Sequence, residues 1–187
     1  MQFALCELLF LCYTVTSVFE KEAPMIDLHV HSNHSDGTLS PEELVSLAVA
    51  TGVSAFALTD HDTVSGIAKA KAAASEQNRS GASVTVISGT EISAAYQKKD
   101  IHILGLFVDE TNPVLLAALE QAIHSRDHRN ELMAERFRSL GIPLTLDELR
   151  LANPDTVITR AHFAKYLIEH HHVKTSEEAF RRYLNYD

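Results

Sequence analysis

The sequence predicts an α/β fold in which a parallel sheet comes first and a run of helices follows. Short apolar segments alternate with amphipathic ones up to about residue 107, and beyond Asn112 only helix-forming patterns remain. Strands that alternate with helices in this way pair in parallel, because each crossover helix returns the chain to the same end of the sheet. The chain has 187 residues and is 45% hydrophobic, which suffices for the core of one ordinary globular domain.

Four short segments are predicted to form strands: residues 26–30, 53–58, 84–88 and 101–107. A first helix is predicted after Ser40, because Ser40, Pro41 and Glu43 match an N-cap, a first-turn proline and a capping box. Gly52 is predicted to end it. A second helix is predicted over residues 63–77, so that strand and helix alternate through the first half of the chain.

A long helix is predicted to begin at the Asn112-Pro113 cap and to end at residues 141–143. Apolar side chains recur along it at intervals of three and four, namely Leu116, Leu119, Ile123, Met133, Phe137 and Leu140. The same register places Arg126 and Asn130 on the buried stripe, where polar groups need partners. They are either a hydrogen-bonded core pair or the part of the helix that faces a polar cleft. Shorter helices are predicted over residues 146–151, 160–170 and 176–184.

The first 24 residues do not fit this fold. The segment is hydrophobic from Phe3 to Phe19 but short for a transmembrane helix, and it lacks the basic region of a signal peptide. Met25 stands directly before the first predicted strand. We therefore favour a mis-assigned start and keep a signal peptide or membrane anchor as the alternative. The expected location is cytoplasmic, with residues 1–24 leaving a secreted or anchored form open.

Composition limits the classes of function. The formal charge of −9 argues against a broad nucleic-acid surface, since phosphate contacts need clustered Lys and Arg. No membrane partner is expected. A small phosphorylated substrate held by metals remains compatible, because bound cations reverse the local field. Both cysteines, Cys6 and Cys12, lie in the N-terminal segment, so no disulfide framework is expected. Eleven histidines are a high count and are the compositional hint of function.

Histidines and carboxylates recur at or just beyond the predicted strands: His29, His31, Asp36, His61, Glu91 and His102. His29 and His31 are two residues apart on a strand, so their side chains point to one face. Because active-site residues gather at the carboxyl ends of parallel strands, the six are expected to converge. Imidazoles with carboxylates suit Mn²⁺, Fe²⁺ or Zn²⁺, and a carboxylate such as Glu91 can bridge two metals, as in phosphate-ester hydrolysis.

Each of these residues also has an ordinary interpretation when taken alone. Asp36 fits a turn residue, and His102 fits a buried histidine with a backbone partner. The neighbouring Asp60 and Asp62 fit caps of the second helix. The recurrence of the same pattern in four segments favours the metal site.

The motifs resemble those of the PHP family (polymerase and histidinol phosphatase domains). They are Asp27-Leu28-His29-Val30-His31-Ser32, Ser35-Asp36-Gly37, Thr59-Asp60-His61-Asp62-Thr63, Gly89-Thr90-Glu91 and His102-Ile103-Leu104-Gly105. The resemblance covers residues 25–110 and implies a distorted (β/α)7-type barrel with a helical insertion over residues 111–187. It also implies that the six clustered residues bind up to three divalent metals, usually Mn²⁺, with Zn²⁺ or Fe²⁺ as alternatives.

Within the family, the sequence is most similar to the nucleoside 3′,5′-bisphosphate phosphatases, some of which trim RNA from the 5′ end. This resemblance implies hydrolysis of a nucleotide or a short RNA by metal-activated water. Arg160 and His162 would bind substrate phosphate, with Arg126 and Arg129 as further candidates, although Arg160 also fits a solvated arginine at a helix start.

Two alternatives stay open. One is a histidinol-phosphate phosphatase of the same family. The other is an inactive truncated fragment, because the family's remaining metal ligands and closing strands would lie beyond Asp187 and leave the barrel incomplete. The sequence makes no prediction of the oligomeric state.

Overall fold

A four-stranded sheet in the order β1-β2-β3-β4 carries the first half of the fold. This computed structural model describes residues 24–97 and 99–185, so the expectations for residues 1–24 fall outside the described residues except at Pro24. The strands are β1 (Met25–Val30), β2 (Val53–Leu58), β3 (Thr85–Tyr96) and β4 (Lys99–Leu106). They form an open, curled sheet that is part of a barrel, which confirms the predicted α/β class.

The strand directions differ partly from the expectation. β1, β2 and β3 are parallel to one another, as the strand–helix alternation predicts. β3, however, is 12 residues long and continues through Glu91, which was expected to follow the strand. β4 then pairs antiparallel to β3, from Gly89 opposite Leu106 to Tyr96 opposite Lys99. The two residues between these strands are too few for a crossover, so the chain makes a hairpin.

Two helices pack on the sheet. α1 (Pro41–Thr51) has the predicted capping box, in which Ser40 Oγ accepts from the Glu43 N–H and Glu43 Oε2 accepts from the Ser40 N–H. α2 (Ile67–Arg79) begins later than predicted, because residues 63–66 are not helical and the chain turns at Ser65 and Gly66. The apolar core between helices and sheet consists of Val45, Ala48, Phe56, Leu58, Ile67, Ala70, Ala74 and Val84.

The second half is helical, with α3 (Pro113–Ser139), α4 (Leu146–Ala152), α5 (Arg160–Glu169), α6 (Ser176–Ala179) and a π-helical turn over Phe180–Leu184. Its core is a separate cluster that includes Met133, Phe137, Leu146, Phe163 and Leu167. The domain boundary at residue 110 stays a prediction. Among the described residues, none of the helices combines the length and the apolar character that a membrane span requires. The cytoplasmic location also stays a prediction.

The buried stripe of α3 is shorter than predicted. Leu119, Met133 and Phe137 are buried, but Leu116 is 42% exposed and Leu140 is 54% exposed. Leu116 lies in the first turn of α3, and Leu140 is its C-cap residue, so both stand at the ends of the stripe. Arg126 and Asn130 are both buried, as the register predicts.

The helical half contacts the loop that follows β1. The Val157 N–H donates to the His34 carbonyl oxygen at 2.9 Å, and Thr156 Oγ1 donates to the Asn33 carbonyl oxygen at 2.7 Å. These hydrogen bonds bring the start of α5 beside the histidine-rich end of β1.

Candidate metal centre

The carboxylate of Glu91 lies among four imidazoles. Its Oε2 is 3.0 Å from Nε2 of His29, 3.0 Å from Nε2 of His31 and 3.5 Å from Nδ1 of His61. Its Oε1 is 2.8 Å from Nδ1 of His102. One buried carboxylate therefore joins residues from β1, the end of β2, β3 and β4.

A second carboxylate, that of Asp36, lies on the other side of two of these rings. Its Oδ1 is 2.9 Å from Nδ1 of His31, and its Oδ2 is 3.4 Å from Nε2 of His61. The six predicted side chains thus come together, and we call them the histidine–carboxylate cluster. Within it, three overlapping triads each keep their nitrogen and oxygen atoms within 4.8 Å of one another.

The backbone explains why these side chains converge. His61 forms an isolated parallel bridge with Glu91, which continues the β2–β3 pairing beyond the end of β2. On β4, His102 lies opposite Ser93, which is two residues from Glu91 and on the same face of β3. His102 therefore reaches the cluster from the first half of an antiparallel strand rather than from a carboxyl end.

Electrostatics keep both carboxylates of the cluster ionised. Burial alone would raise the pKa of Asp36, but hydrogen bonds from His31 and His61 outweigh it and hold this pKa far below its usual range. The pKa of Glu91 is likewise lowered against the effect of burial, by His29, His61 and His102. Burial would lower the pKa of His31, yet its hydrogen bond to Asp36 raises it. The cluster is therefore a site that favours positive charge.

The cluster also fits a divalent cation by its donor chemistry. His61 is 8% exposed, and its buried Nδ1 makes no hydrogen bond with any described residue. An unsatisfied polar atom in the interior is costly, and a bound cation would satisfy this nitrogen. Four imidazoles and two carboxylates without a thiolate are a donor set for Mn²⁺, Fe²⁺ or Zn²⁺.

Asp60, which was interpreted from the sequence as a helix cap, instead holds the loop after β1. It is 2% exposed, and its Oδ1 accepts from the Ser32 N–H at 2.7 Å and from Ser35 Oγ at 2.7 Å, while Oδ2 accepts from Ser32 Oγ at 2.6 Å. The loop is tight, since a Cβ on Gly37 would lie 2.2 Å from the His31 carbonyl oxygen. The capping interpretation is wrong, because α2 has no side-chain cap.

Asp62 is not a cap either and binds Arg126 of α3. Asp62 Oδ2 accepts from Arg126 Nε at 3.0 Å and Nη2 at 2.6 Å, and Oδ1 accepts from the Ser93 N–H at 2.7 Å. Burial would raise the pKa of Asp62, but the bonds from Ser93 and Arg126 lower it. Asn130, the other polar residue of the stripe, donates to the Ile158 carbonyl oxygen at 2.9 Å. Both polar residues are therefore hydrogen-bonded, although not to each other, and Arg126 also borders the polar cavity beside His102.

Three of the four predicted phosphate-binding residues lie on the His102 side of the cluster. Arg126 and Arg129 line a cavity of about 400 Å³ that His102 also borders. Arg160 donates to Asp100 at 2.8 Å. His162 is used differently, because its Nδ1 accepts from the Thr159 N–H at 3.0 Å and closes the capping box of α5. The contact of these residues with substrate stays a prediction.

The sheet and the histidine–carboxylate cluster define an α/β domain built around a candidate metal centre. A model of the PHP domain matches residues 27–185, and the chain belongs to this family.

Named relatives and solved structures agree with this assignment. The chain is 39% identical to the 5′-3′ exoribonuclease Rnm of Escherichia coli K12 over 87% of its own length and 54% of the relative. It is 36% identical to the 3′,5′-nucleoside bisphosphate phosphatase of Chromobacterium violaceum, covering 85% of this chain and 54% of that protein. The chain therefore spans about half the length of the curated relatives it matches.

Two solved structures have the same fold. One is an amidohydrolase from Chromobacterium violaceum with bound sulfate, which superimposes with a TM-score of 0.76 at 35% identity over 86% of this chain and 55% of that one. The other, from Bifidobacterium adolescentis, is described as a proposed metal-dependent phosphoesterase, with a TM-score of 0.77 at 30% identity over 87% of this chain and 56% of that one.

Proposed function

We propose that this chain supplies metal ligands of a metal-dependent phosphoesterase that hydrolyses phosphate esters of nucleotides. The observation that carries the proposal is the histidine–carboxylate cluster, in which Glu91 contacts four imidazoles and Asp36 contacts two of the same rings. Several imidazoles that converge on one buried carboxylate form a donor set that suits divalent transition metals, and perturbed titratable groups of this kind cluster at functional sites.

In this proposal all six residues of the cluster are metal ligands, and the cofactor is Mn²⁺, with Zn²⁺ or Fe²⁺ as alternatives and up to three ions. Divalent cations in this site would favour deprotonation of the attacking water and stabilise the charge that develops on the phosphoryl oxygens. Glu91 and Asp36 supply the negative charge that holds the cations, and the imidazoles supply neutral nitrogen donors.

The direction from which substrate enters follows from exposure. The side chains of His29 and His102 are 49% and 37% exposed, whereas those of Glu91 and His61 are 8% and 10% exposed. We therefore place the entry of a phosphate group at the exposed part of the cluster where His102 borders a cavity. Arg126, on the wall of the cavity next to His102, is held in place by Asp62 and is available to orient that phosphate.

The proposed substrates are nucleoside 3′,5′-bisphosphates and the 5′ ends of RNA. The names of the relatives support this class, since one is an exoribonuclease and another is a nucleoside bisphosphate phosphatase. The arginines beside His102 add chemical support, because one guanidinium group can donate two parallel hydrogen bonds to the oxygens of a phosphate.

Phosphate release from adenosine 3′,5′-bisphosphate with added Mn²⁺ tests the proposal. It is measured on this chain and on a version extended to the length of its relatives. We expect release from the extended version at least, and loss of release with a chelator. Release from histidinol phosphate alone would move the assignment to that substrate. Absence of both release and bound metal in the two versions would contradict the proposal and favour an inactive fragment.

A further inference from the structure

Three hydrogen bonds connect the loop after β1 with residues 156–159, which directly precede α5. They join residues at one constant offset of 123 positions along the chain: Thr156 to Asn33 at 2.7 Å, Val157 to His34 at 2.9 Å and Thr159 to Asp36 at 3.5 Å. The two segments therefore run side by side in the same direction. The first two bonds fix the register, and the third reaches the carboxylate of Asp36, a member of the histidine–carboxylate cluster.

The 156–159 segment is anchored in the helical half. The side chain of Ile158 is 3% exposed and belongs to the helical core, and its carbonyl oxygen accepts from Asn130 of α3 at 2.9 Å. Thr159 is also 3% exposed and is the N-cap residue of α5. Because a closely packed interior leaves such residues little freedom, the Thr159 hydroxyl is held at a fixed place beside Asp36.

The hydroxyl proton of Thr159 is directed by the neighbouring hydrogen bonds. Thr159 Oγ1 accepts from the Ala161 N–H at 3.2 Å. His162 Nδ1 lies 3.3 Å from the same oxygen, but this nitrogen already accepts from the Thr159 N–H at 3.0 Å. Burial lowers the pKa of His162 more than the nearby Asp36 raises it, so the ring is neutral and Nδ1 has a single lone pair. The proton is therefore donated to Asp36 Oδ2.

Thr159 is the partner of Asp36 that metal binding would leave in place. Among residues 24–97 and 99–185, the Asp36 carboxylate is contacted by His31, by His61 and by Thr159. The two histidines are metal ligands under the proposed function, and an imidazole nitrogen that binds a cation cannot also donate to a carboxylate. The Thr159 hydroxyl is not a ligand in that proposal, so it can hold Asp36 both before and after a cation binds.

We propose that Thr159 is a positioning residue that orients Asp36 for metal binding, so that the helical half contributes to the metal centre without supplying a ligand. This inference rests on the proposed function and adds a residue that the sequence motifs did not identify. A neutral hydroxyl fixes the orientation of the carboxylate and leaves it the charge that attracts the cation. Hydrogen bonds of this kind to ligating carboxylates raise metal affinity.

The test compares Mn²⁺ affinity by calorimetric titration in variants of this chain and of the extended version. Thr159→Val and Thr159→Gly both remove the hydroxyl, and glycine is much the better N-cap of the two, so the pair separates loss of the hydroxyl from loss of the cap. Thr159→Ser retains the hydroxyl. The matched control is Thr145→Val, because Thr145 is the N-cap of α4 in a capping box of the same kind, and its side chain bonds Glu148 instead of Asp36.

We expect Thr159→Val and Thr159→Gly each to weaken Mn²⁺ binding by about tenfold, the lower end of the range for residues that orient metal ligands. Thr159→Ser should stay within about threefold of wild type, because serine supplies the same donor and the same cap. Thr145→Val should leave Mn²⁺ affinity within about twofold of wild type, although it lowers the midpoint of urea denaturation as Thr159→Val does. Far-UV circular dichroism checks the fold of each variant.

Mn²⁺ affinity in folded Thr159→Gly equal to that of wild type would overturn the inference. So would a loss in Thr145→Val or in Thr159→Ser as large as the loss in Thr159→Val, because the hydroxyl beside Asp36 would then not be the cause. Phosphate release from adenosine 3′,5′-bisphosphate, measured alongside, separates the two levels. Release by wild type together with unchanged Mn²⁺ affinity in Thr159→Gly contradicts only the role of Thr159. Absence of Mn²⁺ binding by wild type contradicts the proposed function, and the inference fails with it.

Discussion

At the scale of single residues, the buried carboxylates of the site have different roles. Glu91 and Asp36 contact the imidazoles, whereas Asp60 contacts the loop that carries His31 and Asp36. The main chain of Asp60 also accepts from the Glu91 N–H at 3.1 Å. The buried Asp60 therefore connects the loop after β1 with the segment that carries Glu91. Residues that orient metal ligands without binding the metal have this role in metal sites.

Replacement of Glu91 by glutamine should remove metal binding while leaving the fold intact. The amide has the shape of the carboxylate but no charge, so we expect Mn²⁺ affinity to fall by more than about 100-fold and phosphate release to disappear. Calorimetric titration with Mn²⁺ measures the affinity, and far-UV circular dichroism checks the fold. Glu76→Gln, on the exposed face of α2, is the control. Undiminished Mn²⁺ affinity in Glu91→Gln would refute the metal-ligand role.

Replacement of Asp60 by asparagine should loosen the loop after β1. The neutral amide of asparagine cannot accept the charge-assisted hydrogen bonds that the Asp60 carboxylate accepts from Ser32 and Ser35. We therefore expect the free energy of unfolding to fall by about 2–3 kcal/mol. Mn²⁺ affinity should fall by about 10- to 100-fold, as is typical of outer-sphere changes. Urea denaturation and Mn²⁺ titration measure the two effects. Ser35→Ala, which removes one of these bonds, should have a smaller effect of the same kind, and the reverse order would count against this role of Asp60.

At the scale of elements, one ion pair joins the long helix α3 to the sheet. Arg126 and Asp62 are 64 residues apart, and their side chains are 5% and 0% exposed. Arg126 also donates to Ser93 Oγ on β3. α3 is therefore held beside the histidine–carboxylate cluster by buried hydrogen bonds that link it to β3 and to the end of β2.

Removal of one partner of this ion pair should lower the free energy of unfolding more than removal of both partners. Arg126→Met leaves the Asp62 carboxylate buried without its cation, and we expect a loss of about 3–5 kcal/mol in the free energy of unfolding. The double variant Asp62→Asn with Arg126→Met should recover part of that loss, because the unpaired charge is absent. A double-mutant cycle by urea denaturation measures the coupling. Additive losses would show that the pair is not coupled.

At the scale of the whole molecule, the described residues form two apolar cores and one candidate metal centre. The sheet core lies under α1 and α2, and the helical core lies among α3 to α6, with no residue in common. The cluster is built from residues 29 to 102, so the helical core contributes none of its side chains. The helical half lines the cavity beside His102 with Arg126 and Arg129.

A cavity in the helical core should therefore lower stability without changing the metal site. Phe137 is fully buried and stacks on Phe163, with ring centroids 5.9 Å apart. Phe137→Ala should cost about 3–5 kcal/mol in the free energy of unfolding, and Mn²⁺ affinity of the folded variant should stay within about twofold of wild type. Denaturation and Mn²⁺ titration at low temperature measure both. A large loss of Mn²⁺ affinity in folded Phe137→Ala would show that packing in the helical core also controls the metal site.

What the sequence by itself determined is local. β1, β2 and the helix caps at Ser40 and Asn112 follow from short-range periodicity and from hydrogen bonds within a few residues, and the structure has them as predicted. The six residues of the cluster were also identified from sequence, because each lies in or near a recognisable strand and their motifs resemble one family. Their convergence is observed, and their binding of metal stays a prediction.

Only the tertiary structure decided the contacts between distant segments. Three such contacts were not predicted: the hairpin of β3 and β4, the hydrogen bonds of Asp60 to the loop after β1, and the ion pair of Asp62 with Arg126. In each case the local sequence pattern fitted a different structure. Asp60 and Asp62 stand before a helix and satisfy the local requirement for a cap equally well. The pairing of β1 with β2 brings the loop after β1 to Asp60, and the packing of α3 against the sheet brings Arg126 to Asp62. Both arrangements depend on distant segments of the chain rather than on neighbouring residues.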